Sequence, residues 1–270
     1  MVDECDALLQ AVEAAPDDTT LQLVYADWLD ERGDPRGELL RCQAARNQLT
    51  PADPEYTALL EHEARLRRDH PAVILPWERR LSIARIRALI AHSGPSTDGA
   101  VTGPYTPGTC LTEPDVVAWE VARVVVLPEE YKLFLQEIGN GGAMPGSYCD
   151  FDIFPLARVR SGPIAAAPFP VTSDRFRKRL RQVRAEGRPT DWVLFPELQP
   201  VWEQNDGLPG SVSIGGYPGG DGLLLVTTGE LRGSIWCTVC YGIPETDPLD
   251  EPLGFLNWFA ATLAGFQSGA

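Results

Sequence analysis

The chain has 270 residues, with 23 lysines and arginines against 38 aspartates and glutamates, for a formal net charge of −15. At 44% hydrophobic and 23% charged it has a globular composition, and its length suits two ordinary domains better than one. The acidity argues against nucleic acid as the main ligand, no window supplies the roughly 18 apolar residues of a membrane span, and six scattered cysteines make no disulfide scaffold.

The first 91 residues read as successive helices. Asp3 can cap a first one, with Leu8, Leu9 and Val12 inward and Pro16 ending it. Asp17 or Asp18 caps a second, in which Leu21, Val24, Tyr25, Trp28 and Leu29 form one apolar stripe and Gly33 is the stop. A third is expected over about 35–49, burying Leu39, Leu40 and, in part, Cys42 and Gln43. Asp53-Pro54 starts a fourth with Tyr56, Leu59, Leu60 and Leu66 inward, and a fifth begins near Pro76 with Leu81, Ile86, Leu89 and Ile90. The run from Leu23 to Glu38, LVYADWLDERGDPRGE, resembles the signature of the small repeat-companion domain, a helical bacterial module found beside unrelated C-terminal parts. The acids and arginines between Asp27 and Arg36 read as helix-end electrostatics around the Gly33 turn rather than as a carboxylate site.

Residues 92–109 have the Gly, Pro, Ser and Thr content of a linker. Beyond it a helix is expected over 113–123, with Val116, Val117 and Trp119 to Val121 offering an apolar side. Pro128 opens another, with Tyr131, Phe134, Leu135 and Ile138 at helical spacing and Gly139 as its end. Strands are expected over 150–156, 211–214, 223–227 and 234–241, the last two joined by the hairpin-type segment 228–233. A final helix, 252–266, buries Phe255, Leu256, Phe259 and Leu263. The expectation is an α+β protein: a helical module at 1–91, a linker at 92–109 and an α+β domain at 110–270.

Several motifs in that second part are similar to those of the SUKH superfamily. Leu127-Pro128-Glu129-Glu130-Tyr131, Phe134-Leu135 and Gly139-Asn140-Gly141-Gly142 look like its LP-x-x-Y…FL…NGG signature, and Ile153-Phe154-Pro155-Leu156 like the strand that follows. Val226 to Trp236 resembles its G-x-x-x-G-x-x-W hairpin, and Phe255-Leu256-Asn257-Trp258 its terminal helix. Two departures stand out. Members often carry an apolar residue and a glycine shortly before the LP, where this chain has Arg123-Val124, and residues 157–210 are longer than usual. The resemblance implies one central, mainly antiparallel sheet flanked by helices, and an immunity protein that binds and neutralises a toxin domain. The fungal relatives, which are regulatory hubs, give the alternative of an intracellular scaffold or adaptor.

Enzyme chemistry finds little footing. All three histidines (His62, His70 and His92) lie in the helical half or at the linker's edge, and no G-x-S-x-G, H-E-x-x-H or Walker-type run occurs. The glycine-rich 215–222 segment precedes a strand, not a helix N-terminus, so it is read as a loop. Cys237 and Cys240 are three apart on an expected strand and so point to opposite faces, which disfavours a shared zinc or a bridge. Asp174 to Arg184 is a basic amphipathic helix, apolar at Phe176, Leu180 and Val183, whose guanidiniums are expected to be balanced by nearby carboxylates. The expectation is therefore a cytoplasmic, non-enzymatic protein without cofactor or metal. Its partner would be a protein, a basic toxin domain, rather than membrane or nucleic acid. Glu129, Glu130, Asn140, Asp150, Asp152 and Asp221 are placed on or near the binding face, with Tyr148, Tyr217 and Trp236 as aromatic anchors.

Overall fold

A computed structural model describes residues 4–16, 18–50, 52–93, 103–145, 151–162, 164–187, 195–205, 207–216, 222–237, 246–247 and 250–268. The chain divides into two units, Met1–Ala88 and Leu89–Ala270.

In the first unit the helices form where caps and apolar spacing require them. They are α1 (Glu4–Ala14), α2 (Thr19–Asp30), α3 (Pro35–Arg46) and α4 (Pro54–Asp69), followed by α5 (Pro71–His92), which runs on past the boundary. Asp18 caps α2 by accepting from the backbone N–H of Thr20 and Leu21, and Asp34 caps α3 ahead of Pro35. Gly33 takes a positive φ of 66° in the turn between them. Leu9, Val12, Tyr25, Ala26, Leu29, Leu39, Leu40, Leu66, Ile74 and Trp77 make the core. The α2 stripe is centred one residue later than expected: Ala26 is buried and Val24 is 49% exposed. A Cβ on Gly37 would fall 2.2 Å from the Asp30 carboxylate and 2.8 Å from the Ala26 carbonyl, so the α2–α3 approach depends on glycine there. The fifth helix starts at Pro71, not near Pro76, which lies inside it. Pro71 supplies the favoured first-turn φ, and burial of Ile74 and Trp77 offsets the backbone hydrogen bond lost at Pro76.

The second unit is built on a six-stranded sheet: β1 (Thr106–Pro107), β2 (Gly142–Met144), β3 (Phe151–Ile153), β4 (Ser211–Gly216), β5 (Gly222–Val226) and β6 (Ile235–Cys237). The strands lie in chain order, each antiparallel to its neighbours. Helices α6 (Glu113–Arg123) and α7 (Glu129–Glu137) come between β1 and β2, α8 (Ser173–Ala185) and α9 (Gln199–Asn205) between β3 and β4, and α10 (Phe255–Ser268) last. This is the α+β class, with helices dominating the first unit and the sheet in the second. β5 alternates its side chains between the two faces, and each face has its own core. On one, Leu224 and Val226 join Trp236, Phe169, Phe195 and the apolar stripe of α8, Phe176, Leu180 and Val183. On the other, Phe151 meets Trp258 and Phe259 of α10, while Phe134 of α7 packs edge-on against Phe255 and Phe259 at 5.1 Å.

One segment read as linker belongs to the sheet. Thr106 and Pro107 pair with Ala143 and Gly142, and the neighbouring Tyr105 is 2% exposed, its ring edge-on to Phe259 at 5.2 Å. A two-residue strand containing proline carries no alternation from which to read it.

Candidate interaction surface

The basic helix α8 is a structural element. Its apolar stripe is buried against Trp236, and its guanidiniums meet acids: Arg175 pairs with Glu197, Arg177 with Glu251, and Arg184 with Asp250 at 2.5 Å. Around the Gly33 turn the same balancing holds. Asp34 accepts from the Arg36 side chain at 2.6 and 2.9 Å, and Arg41 bridges Asp27 and Asp30. The Arg36 hydrogen bonds hold the Asp34 carboxyl below its ordinary value, outweighing the larger opposing effect of its burial.

The residues expected on the binding face have separate fates. Trp236 is fully buried; it stands edge-on to Phe169 at 4.9 Å and donates its Nε1–H to Ser234 Oγ at 3.1 Å, so it presents nothing to a partner. Glu130 is committed within the fold: its Oε2 accepts from the Leu256 N–H at 3.0 Å in the first turn of α10. Asn140 Oδ1 accepts from the Leu156 N–H at 2.6 Å, tying the NGG turn to the chain leaving β3. Asp152 is half-buried in β3 beside Ala143 and Gly216, and its charge adds to the burial that pushes the Tyr105 phenol upward. Among those that lie within the described residues, Glu129 alone is well exposed, 2.5 Å from Lys132. Tyr148, Asp150, Tyr217 and Asp221 lie outside the described residues, as does Cys240; Cys237 is half-buried on β6.

The structure exposes a surface that was expected to face inward. Of the apolar residues of α6, Val116 is buried, but Val117 is 45% and Val121 is 73% exposed. These two stand one turn apart on the same helix face. The strip continues past the helix with Val124 at 76% and Val126 at 63%, while Val125 and Leu127 turn inward in an alternating extended segment. Four exposed valines within ten residues make a patch rather than scattered surface carbons.

Val124 is held at φ 54°, ψ 40°, a left-handed conformation that disfavours β-branched side chains. The surroundings fix it there. Its N–H donates to the carbonyls at the end of α6, and the Glu120 carboxylate accepts from the Leu127 N–H at 2.7 Å. Arg232, from the β5–β6 connection, clamps the segment by donating to the carbonyls of Val126 and Leu127 at 3.1 and 2.7 Å. Exposed carboxylates flank the strip in sequence: Glu113 and Asp115 in the first turn of α6, and Glu129 at the start of α7. The Asp115 carboxyl is lowered by hydrogen bonds from the Thr112 side chain and backbone within the α6 capping box. One sign was present in the sequence: Val117, Val121 and Val124 share a helical face away from Val116, so the apolar residues exceed what one buried side can take.

Among the described residues no group of three or more His, Cys, Asp or Glu side chains is placed to hold a metal ion, and no helix is long and apolar enough to cross a membrane. Comparison with family models, with curated proteins and with solved structures finds no match to this chain.

Proposed function

We propose that this is a non-enzymatic protein-binding protein of the SUKH immunity type, which captures a basic toxin domain through the valine strip of α6. The observation that carries the reading is Val124, an exposed β-branched residue kept in a left-handed conformation. Left-handed backbone costs an ordinary residue about 1–2 kcal/mol, and a strained residue on the surface points to a use for its side chain. Glycine, which the resembling family often places shortly before the LP, would sit there without strain. The partner's chemistry follows from the strip and its flanks: an apolar patch within a basic surface, such as the phosphate-binding groove of a nuclease. Opposite fields speed such an encounter, and the desolvated valines slow its dissociation. Cytoplasmic location belongs to the same proposal.

The test uses basic toxin domains encoded beside the gene. One of them should form a stoichiometric complex and lose its activity on adding this protein, with association slowing as salt rises. Val121→Glu should abolish both effects while leaving the melting temperature of this exposed site unchanged. Binding without inhibition would favour the scaffold reading, and binding that ignores Val121→Glu would place the interface elsewhere.

A further inference from the structure

The connection between β5 and β6 brings an arginine to the end of the valine strip. Arg232 is exposed, yet backbone carbonyls pin its guanidinium: Nε donates to Thr227 at 2.9 Å, and Nη2 donates to Val126 at 3.1 Å and to Leu127 at 2.7 Å. The support is itself fixed. Thr227 is buried and its N–H donates to the Gly210 carbonyl at 2.7 Å, while the Gly233 N–H donates to Val226 at 2.8 Å.

The contrast with the α8 arginines is informative. Arg175, Arg177 and Arg184 each meet a carboxylate, whereas Arg232 meets only carbonyls among the described residues, and its Nη1 donates to none of them. The guanidinium is a planar fork, so fixing Nε and Nη2 also fixes the direction of the Nη1 edge. Little rotamer freedom is then left to lose when that edge takes an acceptor. A carboxylate matches it in both charge and hydrogen-bonding geometry. A partner surface that is basic throughout would instead set like charges together beside Val126.

We infer that Arg232 is a specificity-determining residue of the valine strip: its Nη1 edge receives a carboxylate of the partner, so the toxin domain that is captured carries an aspartate or glutamate beside its apolar patch. This rests on the toxin-binding reading. The acidic surface steers basic domains alike, and the fixed guanidinium discriminates among them after encounter. Binding kinetics of the full chain with the neighbouring-gene toxin domain test it, in a double-mutant cycle between Arg232→Gln and single Asp→Asn or Glu→Gln variants of the toxin domain. Arg232→Gln should weaken binding about tenfold through faster dissociation. Association should not slow, because the substitution removes a positive charge from an acidic protein. One toxin variant should weaken binding to wild type about as much, and have little further effect on Arg232→Gln. Arg232→Lys keeps the charge but loses the fork, and should also bind less tightly than wild type. Thermal melting of the free variants checks their folding, and the cycle is run on Arg232→Lys if Arg232→Gln does not fold. Toxin variants that all add independently to the Arg232 change would show that the arginine acts only through the Val126 and Leu127 backbone, and would overturn the inference. Affinity indifferent to Arg232→Gln would overturn it too, while the toxin-binding reading would stand. No complex with the wild-type protein would overturn that reading and this inference with it.

Discussion

Glu63 shows how one residue can be misread when only apolar spacing is followed. It sits on the inward face of α4, is 1% exposed, and accepts from Arg46 at 2.7 Å and Arg67 at 3.3 Å, while Arg67 also reaches Glu78 at 2.9 Å. The carboxylates hold both guanidiniums above their ordinary range despite burial, which alone acts the other way. Replacing the acid leaves two half-buried cations without their shared partner. Glu63→Gln is expected to cost about 3 kcal/mol in urea unfolding, the usual consequence of breaking a buried pair. A loss below 1 kcal/mol would mean that water already compensates these charges. A glutamate amid Leu59, Leu60 and Leu66 reads as solvent-facing, because its shorter ion pair is with Arg46 of α3, 17 residues away in the chain.

At the scale of elements, legibility followed length and periodicity. Helices α7 and α10 repeat apolar residues over two or more turns, and their inward faces were readable, as was the buried stripe of α8. Strands β1 and β2 were not: two and three residues of Thr, Pro, Gly, Ala and Met carry no alternation. The turn between α2 and α3 yields a pH prediction. The folded Asp34 carboxyl lies below its ordinary 3.8, so its contribution is present above that value and is lost as pH falls through the lower folded one. Acid titration of stability should therefore be shallower in Asp34→Asn than in the parent below about pH 4. Parallel curves would show that Arg36 gives Asp34 no preference for the charged form.

At the scale of the whole molecule, the two-part organisation and the α+β class were visible in composition and pattern, but the start of the second unit was not. Tyr105 and β1 place that start before residue 110. A fragment spanning 103–270 should melt cooperatively, and one spanning 110–270 should lose about 3–5 kcal/mol with the buried Tyr105 ring and the β1 pairing. Equal melting temperatures would return residues 103–109 to the linker.

The candidate surface was less legible than the fold, and the reason is physical. Carboxylates and aromatics look like contact residues in a sequence, yet Glu130 is used to hold α10, Asn140 to hold a turn and Trp236 to fill a core. The valines look like core, yet the backbone turns four of them outward. Val124 concentrates that conflict, and a single substitution tests it. Val124→Gly should stabilise the free protein by about 1 kcal/mol, because relief of the left-handed strain exceeds the added chain entropy, and should weaken toxin binding at least about tenfold. The measurement is the affinity of wild-type and Val124→Gly protein for the neighbouring-gene toxin domain, with thermal melting of each. Higher stability with lower affinity is the predicted result; affinity equal to wild type would contradict the account.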